Sequence, residues 1–212
     1  MPVAVEAGAL PGPLCGFAGK LPARGDFVGA GLPRDFLDPW HAWQSQVIAG
    51  SRALMGESWL DAFLEAPVWR FHLRAGLCGP RAVIGLLLPS VDKVGRYFPL
   101  TFAALPAPDA PDAEPSAPAA WDSWLDAVEA LGRLALDEDA PPDRLLPPPC
   151  PIVPPAIFPP DTSGDASLWW TDGGPRVEAT RLPLPALPDA ARFAAMLGHP
   201  ISGHPAPTES AP

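Results

Sequence analysis

Three short stretches place residue types capable of chemistry at turn-like positions. In GFAGKLPARGDF (Gly16 to Phe27), the Gly19-Lys20 pair is the kernel of a phosphate-binding loop, in which backbone N–H groups and a lysine cradle a nucleotide's phosphates. That chemistry needs four residues between the first glycine and the Gly-Lys pair, and a hydroxyl residue directly after the lysine. Here two residues separate Gly16 from Gly19, and Leu21 follows Lys20, so a nucleotide-dependent protein working through Lys20 is a rival reading only. The Arg24-Gly25-Asp26 triplet matters for adhesion on loops of secreted proteins. No secretory signal is expected, because the N-terminus lacks a basic segment followed by an apolar one. In PSVDKVGRYFPL (Pro89 to Leu100), Ser90 and Lys93 have the Ser-x-x-Lys spacing of a nucleophile and its base. Such a pair works from one face of a helix. This one follows an apolar strand and meets Val94-Gly95, a turn, and the companion motifs Ser-Asp-Asn and Lys-Thr-Gly are absent. A serine hydrolase at Ser90 and Lys93 is the second enzymatic rival.

Other chemistry is poorly provided for. His41, His72, His199 and His204 show no helical ligand pairing and no Cys-x-x-Cys exists, so neither a metal nor a cofactor is expected. Asp35, Asp38 and Asp61 have capping or solvent-face roles available to them. Cys15, Cys78 and Cys150 are odd in number and far apart, which fits buried thiols in a reducing compartment. The third stretch, PVWRF (Pro67 to Phe71), combines a proline, a charge and two aromatics, and the chain holds eight tryptophans. A Trp-rich core accounts for most of these. It does not account for charge gathered at Gly- and Pro-shaped turns, where a rigid scaffold presents binding groups.

The net charge is −10, but residues 1–105 hold nine basic and eight acidic side chains, while 106–212 hold five and sixteen. Such a back half repels phosphate backbones, which argues against nucleic acid as a partner. Only two of the fourteen basic residues are lysines, so an arginine here carries less information than a lysine. No run of about 18 apolar residues offers a membrane span.

The elements that must position these residues follow from period and punctuation. Leu14 to Gly19 reads as a first strand. Asp38 as N-cap and Pro39 at the first helical position open a helix through Trp40, Trp43, Val47, Ile48 and Leu54, ended by Gly56. A second helix covers Ser58 to Ala66, closed by Pro67. Val68 to Leu73 alternates as a half-buried strand does, Ala82 to Leu88 is apolar on both faces as in a central strand, and Tyr97 to Leu105 is a third, with Pro99 at its start or on an edge. Residues 106–119 form a Pro-rich linker or loop. Trp121 to Leu136 is a strong amphipathic helix, the proline-dense stretch 141–160 excludes regular structure, SLWWT (Ser167 to Thr171) is a strand, and Pro188 to Leu197 is a last helix with Gly198 beyond its end. Residues 1–13 and 199–212 are expected to be flexible tails around a single domain, 14–198, whose motif-rich core is 14–105 and whose second part is 120–198. The order describes an α/β (α+β) fold.

The quoted stretches, in this order, resemble the TagF (ImpM) family, accessory proteins of type VI secretion systems of Gram-negative bacteria. The resemblance is carried by Gly16, Gly19, Lys20, Pro22, Arg24, Gly25, Asp26 and Phe27, by Trp69, Arg70 and Phe71, and by Ser90, Asp92, Gly95, Arg96, Tyr97, Phe98 and Pro99. It implies a mixed, largely antiparallel sheet flanked by helices, a longin- or profilin-like sandwich. It also implies a cytoplasmic, non-enzymatic repressor that binds other components of the system, notably its forkhead-associated scaffold protein. Some relatives are fused to a metal-dependent phosphatase. This chain has neither the room nor the aspartate-rich metal motifs for one, and phosphatase activity is not carried over.

On this reading Gly19 and Gly25 supply backbone conformations that a side chain forbids, and Phe27 anchors its loop to the core. Lys20, Arg24, Asp26, Asp92, Lys93 and Arg96 form a charged partner-binding patch if the two loops meet. Against it stand docking on the Pro-rich back half, the two enzymatic rivals, and a structural subunit of the assembled particle.

Overall fold

The computed structural model describes residues 13–105, 118–137, 142–150 and 164–200. The expected flexible start, most of the 106–119 linker, the latter part of the 141–160 stretch and the tail beyond residue 200 lie outside the described residues. The elements run β1 (Leu14–Gly19), β2 (Val28–Ala30), α1 (Arg34–Met55), a three-ten turn (Gly56–Ser58), α2 (Trp59–Leu64), β3 (Trp69–Leu73), β4 (Val83–Leu88), β5 (Leu100–Leu105), α3 (Pro118–Asp137), a second three-ten turn (Pro142–Leu145), β6 (Ser167–Thr171), β7 (Thr180–Leu184) and α4 (Ala190–Met196). The strands form one sheet in the order β2-β1-β5-β4-β3-β6-β7, and every pair is antiparallel rather than mixed.

Alternation along the central strands feeds two cores. Val83 and Leu87 of β4 join Phe71, Leu73, Ala103 and Trp169 under α1, α2 and α4. Ile84, Leu86 and Leu88 join Phe17, Phe102 and Trp170 under α3, with Trp121, Trp124, Leu125 and Val128 facing them. The sheet is thus the middle layer of three. All eight tryptophans are buried, and the indole N–H groups of Trp40, Trp43, Trp59, Trp69, Trp124 and Trp169 each donate a hydrogen bond. Their abundance therefore builds core, as a ring with a satisfied polar handle does.

Several boundaries differ from the sequence expectation. α1 begins at Arg34 behind Pro33, four residues before Asp38, so Pro39 lies inside the helix. Proline there cannot donate to the carbonyl four residues back, that of Asp35, so the helix forgoes one backbone bond in its second turn. The expected half-buried β3 is covered on both faces: Arg70, facing α3, bonds Asp126 (2.7 Å) and Glu129 (3.0 Å). Tyr97 to Pro99 precede β5 instead of opening it. Within the proline-dense stretch, Pro142–Leu145 does wind into a three-ten turn, for which proline's fixed φ is well suited. β2 and β7 were not anticipated. α4 ends as expected, with Gly198 at φ 93°, and at its start, where no cap was expected, Asp189 accepts the Arg192 N–H at 2.7 Å.

One buried group on β3 makes folding pH-sensitive. His72 is 5% exposed, and burial, aided by the Arg74 charge, pushes its imidazole down to about 4. The unfolded chain binds that proton near pH 6.5, so stability is complete above about 6.5, falls as pH drops towards 4 and is level below that. The full loss from this group is about 3 kcal/mol. Urea unfolding at pH 7.5 and pH 4.5 is expected to show a smaller difference for His72→Gln than for the native chain. Equal differences would contradict the assignment.

Candidate functional site

The end of β1 and the loop before β5 are brought into contact by backbone geometry. Gly19 has φ 150°, and a Cβ there would lie 2.4 Å from the Pro99 carbonyl oxygen, so only glycine lets β1 run this close to the start of β5. Lys20 then points inward. The segment from Ser90 to Phe98 is a small hairpin closed by a Val91–Tyr97 bridge, with Gly95 at φ 83° in its turn. The Phe98 N–H donates to the Ser90 carbonyl at 3.0 Å, and Asp92 and Arg96 are joined the same way.

Asp92 pins everything together. Its Oδ1 accepts the backbone N–H groups of Val94 (3.0 Å) and Arg96 (2.8 Å). Its Oδ2 accepts the Lys20 ammonium and the Arg96 Nε, the latter at 2.6 Å. Lys20 is 5% exposed and Asp92 3%. Burial by itself would raise the carboxyl pKa. The donors from Lys20, Arg96 and Val94 outweigh it and hold the group well below the usual carboxylate range. Further bonds cross between the loops: Ser90 Oγ donates to the Lys20 carbonyl (2.6 Å), the Lys93 N–H to the Arg24 carbonyl (2.9 Å), and Arg96 Nη2 to the Gly25 carbonyl. The two charged loops therefore meet and form one unit.

What this unit shows to solvent differs from the expected six-charge patch. Lys20 and Asp92 are internal and neutralise one another. Arg24, Asp26, Lys93 and Arg96 are exposed, three cations against one carboxylate. Phe27 is not a core anchor. It is 51% exposed, its ring resting edge-on against Phe98 (4.8 Å between centroids) and near His41 (5.5 Å), with the Lys20 Nζ 5.0 Å from its centre. Val94, at the tip of the second loop, is 67% exposed. Gly25 has an ordinary φ and open space where a Cβ would go, so its part is the carbonyl that Arg96 holds, not conformational freedom. Pro22 lies in the turn between β1 and Arg24, and Gly16 lets the Ala30 carbonyl pass 2.1 Å from where a Cβ would sit. Tyr97 packs on Trp59 and Phe63.

The PVWRF stretch does not join this unit. Trp69 and Phe71 enter the core under α1 and α4, with Trp69 Nε1 donating to the Met196 carbonyl at 3.0 Å, while Arg70 faces α3. His41, set aside as a metal ligand, lies beside Phe27, and among the described residues its buried Nε2 has no hydrogen-bond partner. The scarcity of lysine in an arginine-rich chain was the one sign that Lys20 has a specialised setting.

The residues of the two enzymatic rivals are placed apart. Ser90 is buried with its hydroxyl committed to the Lys20 carbonyl, while Lys93 is exposed on a turn, not on one helix face with it. The Lys20 ammonium is held by Asp92. Among the described residues no group of three or more His, Cys, Asp and Glu side chains could hold a metal, and no helix is long and apolar enough to cross a membrane.

Fold and site together define an α/β protein with a three-layer sandwich and a loop pair clamped at one end of its sheet. The chain belongs to the TagF N-terminal domain family, described as type VI secretion system-associated, whose model matches residues 16–147. It is similar to PA0076 from Pseudomonas aeruginosa PAO1, known from a crystal structure at 2.05 Å resolution. The two are 33% identical with a TM-score of 0.70, over 93% of this chain and 98% of that one. No match was found among curated proteins.

Proposed function

We infer that this protein is a cytoplasmic, non-enzymatic regulator of a type VI secretion system. It restrains assembly or firing by binding other proteins of the system, the forkhead-associated scaffold protein first among them. The observation that carries the reading is the loop pair: a buried Asp92 fixes the backbone of its own loop and holds the Lys20 ammonium of the other, and the joined loops display Arg24, Lys93, Arg96, Phe27 and Val94. A prefixed surface loses little conformational freedom on association, so more of its contact energy appears as affinity. An exposed aromatic on a packed base is a natural anchor, and the surrounding charges steer and select the partner.

The secretion phenotype tests it. Deleting the gene in its host should raise release of the system's substrates into the medium, and extra copies should suppress that release. Release unchanged in both directions overturns the regulatory reading. The enzymatic rivals predict turnover in highly purified protein that disappears with Ser90→Ala or Lys20→Ala.

A further inference from the structure

An open sheet has two edges, and each offers unpaired N–H and C=O groups to another chain. The two edges here are built differently. β7 carries Arg181 and Pro183, a charge and a residue without an N–H, both of which discourage strand addition. β2 carries neither. Among the described residues Val28-Gly29-Ala30 pairs with β1 alone, and Gly29, Ala30 and Gly31 are exposed. The clamped loops lead straight into this edge, since Phe27 directly precedes Val28 and the carbonyls of Arg24 and Gly25 are bonded to the Lys93–Arg96 turn.

We propose that β2 is the docking edge for an extended, acidic segment of the partner protein. The segment adds as an eighth strand, sets its carboxylates against Arg24, Lys93 and Arg96, and lays an apolar side chain on Phe27. The inference rests on the protein-binding reading above and specifies its contact. Main-chain bonds to an edge strand supply affinity, and the flanking side chains supply selection. Charge chooses the occupant: the exposed loops present three cations and one carboxylate on a chain of net charge −10. A segment of opposite sign gains from that local field, whereas a second copy brings its own −10 against the same total.

Amide hydrogen exchange, read by mass spectrometry with and without the purified forkhead-associated protein of the same system, tests the contact. Residues 28–31 are expected to gain at least about tenfold protection in the complex, and Ala30→Glu, which sets a like charge against the acidic segment with an unchanged melting temperature, to weaken the complex at least about tenfold. A complex that leaves 28–31 unprotected overturns the docking inference and leaves the binding reading intact. Absence of any complex overturns both. Protection already present in the free protein and lost on removing residues 1–12 assigns the edge to the chain's own N-terminus. A dimer by light scattering that Ala30→Glu dissociates assigns it to a second copy. Either result overturns the proposal.

Discussion

Asp92→Ala is expected to lower the melting temperature by about 10 °C at pH 7. The carboxylate is the shared acceptor of the Lys20 ammonium, the Arg96 guanidinium and two backbone N–H groups. Removing it strands a cation that is almost wholly buried, which costs far more than the pair contributed over an apolar replacement. Lys20→Met combined with Asp92→Leu should recover only the part of the loss due to the stranded Lys20 cation, because the Val94 and Arg96 N–H groups still lose their acceptor. Asp92→Asn keeps an acceptor for the backbone and should fall between. Acid acts the same way. A carboxyl whose folded pKa is depressed stabilises fully above its unfolded value near 4 and loses that contribution as pH falls further. Differential scanning calorimetry at pH 7 decides the matter. A shift under about 2 °C for Asp92→Ala would mean that the clamp does not hold the loops.

Trp40→Ala is expected to cost about 4 kcal/mol, a large share of the whole stability of a domain. The indole is fully buried where α1 crosses the sheet, with its ring centroid 5.4 Å from Phe36, 4.6 Å from Trp43 and 4.7 Å from Phe71. Its Nε1 donates to Thr101 Oγ1 at 3.0 Å, an acceptor shared with Gln44 Nε2 at 3.2 Å. Truncation leaves a cavity that surrounding rings cannot collapse into, and removes one of the two donors to Thr101. Trp40→Phe keeps most of the apolar volume and should cost about 1–2 kcal/mol, mainly the lost indole N–H bond. Urea unfolding followed by far-UV circular dichroism separates the two. Equal costs would show that the aromatic stack is not the tightly packed centre of this face.

The elements that sequence made legible are those whose own residues carry the signal. The run Val83 to Leu88 is apolar on both faces because both cores pack on it, and SLWWT is a strand for the same reason. α3 announced itself by apolar spacing, and α4 by Gly198 just beyond its end. β2 was invisible because Val-Gly-Ala has neither length nor bulk. Its strand state comes from its register with β1, not from propensity. β7 was hidden by Pro183, which an edge strand tolerates. The start of α1 was misplaced because Asp38-Pro39 is a strong local stop-and-start signal that tertiary packing of Phe36 overrides.

The site divides along the same line. That both loops carry the important charges was readable from their glycines and prolines. That Lys20 and Asp92 turn inward was not. They are 72 residues apart, and their meeting depends on β1 lying beside β5. An aromatic directly after a turn usually buries itself, and Phe27 does not. Here Lys20, Phe98 and His41 occupy the space beneath it and leave one face of the ring to solvent.

The most direct test of the clamped loops as the partner-binding face is a tagged capture from lysate of the native host. The native chain is compared with the Arg24→Glu, Lys93→Glu double variant. Both positions are exposed on the loops, so the variant should melt within about 2 °C of the native chain. The native chain is expected to enrich a cytoplasmic component of the secretion system, and the double variant to lose it by about tenfold or more. Equal enrichment by a folded double variant would contradict the account and move the partner's contact to another face of the protein.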